Sequence, residues 1–153
     1  MSASHRFSYL ATPYSNFAGG IEAAFAEACK LTAALLVKGV KVYSPIAHGH
    51  SISMHSDIDP LDHSIWLPFD EAMMAAAHSL IVAHLPGWQE SVGIAHEIAF
   101  FEKAGKPIFD LDPINMVMVR RQREKPPRDR YEGKTDEQLQ AETEAYLNPG
   151  ARG

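Results

Sequence analysis

One cysteine, Cys29, stands in the 153 residues. A lone cysteine excludes an internal disulfide and a cysteine-based zinc site, and it fits a reducing compartment. Long apolar runs are missing as well: none reaches the roughly 18 residues that a membrane span needs. The first six residues are short and polar, with no apolar signal segment behind them. The expectation is therefore a cytoplasmic chain with no membrane partner. Positive charge is scarce too. The chain carries 14 Lys and Arg against 19 Asp and Glu, a formal charge of −5, which argues against nucleic acid as a partner. What is present is ordinary globular composition, 46% hydrophobic and 22% charged, at a length that suits one domain.

The charge is unevenly spread. Residues 1–118 hold 6 Lys and Arg against 12 Asp and Glu, whereas residues 119–153 hold 8 against 7. All 8 histidines fall in the first stretch. The chain thus reads as an acidic, histidine-bearing domain at 1–118 and a highly charged tail at 119–153.

Strands are expected at 7–11, 40–44, 79–84 and 106–110, each short and apolar. Ile21, Ala24, Phe25, Ala28, Leu31 and Leu35 recur at three- and four-residue steps, a helix face that Gly39 can stop. Residues 45–66 read as an irregular loop holding His48, His50, His55 and His63. Pro68 suits the first position of a second helix, with Phe69, Met73 and Ala77 on one face. Ser91 is a good cap for a third helix carrying Ile94, Ile98 and Phe101, ended by Gly105. A further helix is expected from Asp112-Pro113 to Arg123, a linker at 125–130, and a short polar helix at 135–147 with Thr135 as its cap. Strand and helix alternate, so the fold class is α/β. It is a three-layer sandwich with a central parallel sheet of four to five strands.

Ligands of such sheets bind beyond the carboxyl ends of the strands. Three segments land there: 12–20, 45–63 and 86–97. In the last, Ser91 and the free N–H groups of the first helical turn suit an anion or a hydroxyl. Gly93 lets a ligand approach the backbone, and Glu97, six residues after Ser91, borders the same mouth. The plain alternative is a capped helix with Glu97 in solvent. Asp70 has two readings as well: an acid that favours a helix start, or a carboxylate partner for Glu97. Two carboxylates about an anomeric carbon are what cleavage of a glycosidic bond requires. Tyr14 and Trp88 either stack on a nucleobase or pack on the body. His48 and His50 alternate and lack a helical i, i+4 spacing, so no metal is expected, and the loop histidines face a substrate or solvent.

The combination resembles the nucleoside 2-deoxyribosyltransferase-like superfamily, in a branch of small uncharacterised bacterial and phage proteins. The residues that carry the resemblance span roughly 7–110. They are Tyr9-Leu10-Ala11-Thr12-Pro13-Tyr14-Ser15, Asp70, and the run from Leu85-Pro86-Gly87-Trp88 through Ser91-Val92-Gly93 to Glu97, followed by Gly105-Lys106-Pro107. The resemblance implies a flavodoxin-like, Rossmann-like domain that cleaves N-glycosidic bonds of nucleosides or nucleotides, as a hydrolase or a deoxyribosyltransferase. It implies Glu97 as the nucleophile at C1′, Asp70 beside the base and sugar, and Tyr9 orienting the glutamate. Thr12, Tyr14, His48, Trp88, Ser91 and Gly93 are then the substrate-binding residues, Ser91 at a 5′-phosphate. It further implies a homo-oligomer and no cofactor. Three departures stand out. No glutamine follows the second strand, which leaves the choice of base open; His78 replaces a common acid; and residues 12–20 hold no arginine. A non-catalytic nucleotide-binding or sensor module using the same pocket is the alternative.

Overall fold

The computed structural model of the chain describes residues 5–123 and 135–147. It separates into a unit that runs to Arg121 and a second that begins at Gln122. In the first unit, β1 (Ser8–Ala11), β2 (Val42–Tyr43), β3 (Ser79–Ala83), β4 (Ile108–Asp112) and β5 (Val117–Arg120) alternate with helices for most of the length. The helices are α1 (Ile21–Val37), α2 (Pro45–Met54), α3 (His63–Ala76) and α4 (Val92–Lys103). The sheet order is β2-β1-β3-β4-β5, the order of the flavodoxin-like doubly wound class. The first four strands pair in parallel and β5 runs antiparallel to β4.

Right-handed crossovers dictate where the helices lie. From β1 the chain winds one way to β2, then returns across β1 to β3 and on to β4. That reversal puts α1 on one face of the sheet and α3 and α4 on the other. Alternation along the strands matches it. Leu10, Ile81 and Leu111 pack with Leu31 and Leu35 of α1. Tyr9, Leu80, Val82 and Ile108 pack with Met74 of α3 and with Ile94 and Phe101 of α4. All five residues of β3 are buried, as expected of a central strand covered on both faces. Among the described residues, no helix is long and apolar enough to cross a membrane.

Three expectations from sequence are corrected. The loop expected at 45–66 contains a helix: Ser44 caps α2 by accepting from the N–H of Ala47 at 3.1 Å, with Pro45 at the first position. Gly49 and the histidines of α2 blur its apolar period, and Gly49 faces the Trp66 ring, where a β-carbon would lie in ordinary contact at 3.5 Å. The second helix starts at His63 instead of Pro68. Asp62 caps it by accepting from the N–H and the hydroxyl of Ser64, at 3.0 and 2.6 Å, and Pro68 lies inside the helix. The helix expected after Asp112 is a tight turn and β5. The Asp112 carboxylate accepts from the N–H of Ile114 at 2.9 Å, the Asn115 side chain accepts from the N–H of Val117 at 3.0 Å, and Met116 takes a φ of 59°. These side chains close a reversal, and the alternating valines that follow suit a strand. Arg121 then fixes β5 by donating from Nε and Nη2 to both oxygens of Asp110, at 3.0 and 2.6 Å, and His84 lies 2.8 Å from the same carboxylate.

In the second unit, α5 (Asp136–Leu147) is capped reciprocally. Thr135 Oγ1 accepts from the N–H of Gln138 at 3.3 Å, and Gln138 Oε1 accepts from the N–H of Thr135 at 3.1 Å. The expected linker at 125–130 lies outside the described residues.

Lys106 closes the end of α3. Its ammonium donates to the carbonyls of Met74, Ala75 and Ala77 at 3.1, 2.5 and 2.7 Å, and it lies 5.7 Å from the centre of the Phe101 ring. An ammonium has three protons, and here each meets an acceptor where the helix dipole favours a cation. Lys106→Met therefore lowers stability by about 2 kcal/mol, read as a lower urea midpoint at unchanged slope.

Candidate functional site

A cavity of about 370 Å³ opens at the carboxyl ends of β1, β2 and β3. That is the place where the winding direction reverses, and its volume is that of a small-molecule site. Its walls come from the loop after β1, from α2, from α3 and from the start of α4.

Glu97 lies in the second turn of α4 and faces the cavity. It is half-buried, and its Oε2 is closed off from solvent with no hydrogen-bond partner among the described residues. Burial pushes its carboxyl well above the ordinary range, and the charge of Asp70 adds to the effect. Asp70 enters from α3, and burial pushes its own carboxyl up to about 6. Tyr9, buried in β1, is also pushed up, by burial first and then by the charges of Glu97 and Asp70. Its phenol keeps its proton. Two acids with raised affinity for a proton, beside a neutral phenol, form a set suited to proton transfer and to stabilising positive charge.

α4 begins at this cavity because Ser91 caps it, accepting from the N–H of Ile94 at 3.3 Å. Gly93 sits between the two functional ends of that helix. A β-carbon there would lie 3.8 Å from both Glu97 Oε1 and Ser91 Oγ, so its bare backbone leaves the room to a ligand. Thr12, at the end of β1, lines the wall with an Oγ1 that has no partner among the described residues. Tyr14 lines it too, with its hydroxyl 2.6 Å from Nδ1 of His50.

Of the nine site residues expected from sequence, the cavity gathers Tyr9, Thr12, Tyr14, Asp70, Ser91, Gly93 and Glu97. His48 and Trp88 lie elsewhere. His48 stacks on Phe69 at 5.2 Å and 15° and tilts against Tyr43. Trp88 stacks on His84 at 4.1 Å and 11°, on a 3-10 turn at Trp88–Glu90. Both rings are occupied by protein partners. Among the described residues, no three His, Cys, Asp or Glu side chains group as metal ligands. His50, one of the loop histidines expected to face a substrate or solvent, lines the cavity, and so does Trp66, which the residue pattern did not single out. Trp66, Asp70 and Met74 stand four residues apart, one helical turn each, and that spacing is the signal that would have found Trp66.

The raised carboxyls link the site to stability. A native carboxyl that holds its proton more tightly than the unfolded one gives stability that is full below the ordinary value of 4.5 and declines as pH rises through its native pKa. Glu97→Gln thus flattens the fall in melting temperature between acid and neutral pH and raises it at neutral pH. A variant that melts lower than the parent at neutral pH contradicts this picture of Glu97. Gly93→Ala keeps the fold, and gains up to about 1 kcal/mol in helix propensity, while it weakens ligand binding in titration calorimetry.

No curated protein matches the chain. A family described as "Domain of unknown function (DUF1937)" matches residues 6–112. The match covers β1 to β4 and every element that walls the cavity. The chain belongs to this DUF1937 family.

Proposed function

We propose that the protein cleaves or transfers the N-glycosidic bond of a nucleoside or nucleotide, with Glu97 as nucleophile. The observation that supports this most is the pairing of Glu97 with Asp70 in one cavity, each holding its proton more tightly than usual. The motifs shared with the nucleoside 2-deoxyribosyltransferase-like superfamily point the same way.

Burial pushes the Asp70 carboxyl up to about 6 and the Glu97 carboxyl well above its ordinary range. The reaction needs the form of the pair that carries one proton, with that proton on Asp70. The Glu97 carboxylate then attacks C1′, the C1′–N bond breaks, and its electron pair leaves on the base nitrogen, which takes the proton from Asp70. Positive charge developing at the sugar carbon draws Glu97 toward its anionic form. In the second step Asp70 removes a proton from water, or from a second base, and the oxygen or nitrogen so activated displaces Glu97 from C1′. No metal or organic cofactor has a role in these steps. The neutral Tyr9 phenol holds the carboxylate rotamer.

The substrate is a small molecule free in solution, which suits a cytoplasmic setting. The exposed apolar side chains of Met54, Leu61 and Ile65, on α2, α3 and the loop between them, suit a homo-oligomer that covers the mouth. A non-catalytic binding module is the second reading. It is favoured by Pro45 and Ile46, which place apolar surface on the cavity wall just after β2.

Incubation with nucleosides, nucleotides and NAD, followed by chromatography, separates the two. Release of free base that Glu97→Ala abolishes supports the enzyme, and tight binding with no base released from any of them supports the module. The singly protonated pair also sets a pH profile. kcat/KM rises with pH through about 6, as Asp70 and Glu97 come to share one proton, and falls when that proton is lost. Asp70→Asn leaves Glu97 to titrate alone, its carboxyl still raised by burial, so the residual activity of that variant rises with pH and shows no fall on the alkaline side.

A further inference from the structure

The contact between Tyr14 and His50 has no role in that chemistry. The Tyr14 hydroxyl lies 2.6 Å from His50 Nδ1, and both residues line the cavity. His50 is 4% exposed, and its ring stacks on Phe25 at 4.3 Å and 23°. Its other nitrogen, Nε2, is shut off from solvent and has no hydrogen bond among the described residues. Glu22, in the first turn of α1, places Oε1 3.3 Å from that nitrogen, short of hydrogen-bond alignment.

The donors and acceptors can be assigned in order. A carboxylate only accepts, so the imidazole nitrogen that faces Glu22 is the one that carries hydrogen. A neutral imidazole has one N–H, and Nδ1 is then an acceptor. The Tyr14 hydroxyl must donate to it. Its single proton is committed there, and what the oxygen offers the cavity is lone pairs. Burial, with the charges of Glu22 and Asp59, pushes the Tyr14 phenol up to about 12, so it is a hydroxyl at neutral pH.

We propose that Glu22 and His50 fix the Tyr14 hydroxyl as a hydrogen-bond acceptor on the cavity wall, so that the site selects ligands presenting an amino or hydroxyl donor there. A carbonyl in the same place would face an oxygen with no proton to give. The relay stands on the distances alone; the choice of nucleosides as its ligands rests on the reading of the preceding section. Tyr14 is the specificity-determining group, and Glu22 and His50 are positioning residues.

Nitrogen-15 NMR of the His50 ring in the intact protein at neutral pH tests the relay without any ligand. The expected signature is a protonated Nε2 and an unprotonated Nδ1. Glu22→Ala, at an exposed side chain, moves the proton to Nδ1, and Glu22→Gln, which keeps an acceptor, restores the parent signature. A protonated Nδ1 in the parent protein overturns the relay. Calorimetry then tests selection, with adenosine against inosine, cytidine against uridine, and each against its 2′-deoxy form. At least one exchange that removes a donor weakens binding about 10-fold, and Tyr14→Phe abolishes that difference. Glu22→Ala reverses it, because the freed hydroxyl proton then points into the cavity. A preference that persists in Tyr14→Phe, or no preference in any pair, overturns the selection. If no nucleoside binds, the nucleoside reading and the selection fall together, while the ring nitrogens still decide the relay.

Discussion

The change of winding direction between β1 and β3 is the constraint on which the rest of the structure depends. β1 pairs in parallel with both β2 and β3, and a parallel neighbour is reached only through a right-handed crossover. One crossover must therefore go over each face. The chain segments diverge at the carboxyl end of β1, and the cavity lies there, between the loop after β1, α2, α3 and the start of α4. Tyr9 shows the economy of this arrangement. Its ring belongs to the core beside Phe101 at 6.1 Å, and the same residue lines the cavity wall. Core and site share a side chain because the sheet puts them at the same strand end.

A second constraint opposes the first. A packed face seeks apolar groups, yet Glu97 and Asp70 lie on the side of α3 and α4 that looks toward it. Burial raises both carboxyls instead of excluding them. A buried acid without a cationic partner weakens a fold at neutral pH, and such groups persist where their chemistry is used. The contrast with Asp110 is instructive. Burial pulls that carboxyl upward as well, but hydrogen bonds from Arg121 and His84 outweigh it, and the net shift is downward. Asp110 is satisfied and holds β5 to β4, whereas Glu97 Oε2 is left with no partner among the described residues. The same residue class thus serves structure at one edge of the sheet and is left poised at the switch point.

Much of this was legible in the sequence, and the exceptions have physical reasons. The first four strands, α1 and the Ser91 cap follow from apolar spacing and from cap chemistry, which are local. Asp70 and Glu97 were legible as a pair because each lies near a helix that must flank the third strand. α2 was not, since Gly49 and its histidines carry no apolar stripe; its start depends on one side-chain cap at Ser44. The turn before β5 depends on Asp112 and Asn115 side chains bonding backbone two residues on, which reads equally as a helix start. The placements of His48 and Trp88 could not be read at all. A loop aromatic has the same sequence whether it meets a ligand or a protein ring, and here Phe69 and His84 occupy those faces.

The run Gly105-Lys106-Pro107 lies outside the cavity, and its contribution is mechanical. Gly105 ends α4 at a φ of 68°, which turns the chain so that the next side chain can cross to α3. Lys106 then gathers the last carbonyls of that helix. Asp70 sits four residues before Met74, one of the residues so held, and so its height along α3 is set by a residue that follows α4. Glu97 rides on α4 itself. The two carboxyls come from helices separated by β3, and the lysine ties the end of one to the end of the other. Ser91 fixes the opposite end of α4 at the cavity. With both ends of α4 held, and α3 pinned to it, the backbone positions from which the two acids reach the cavity are fixed.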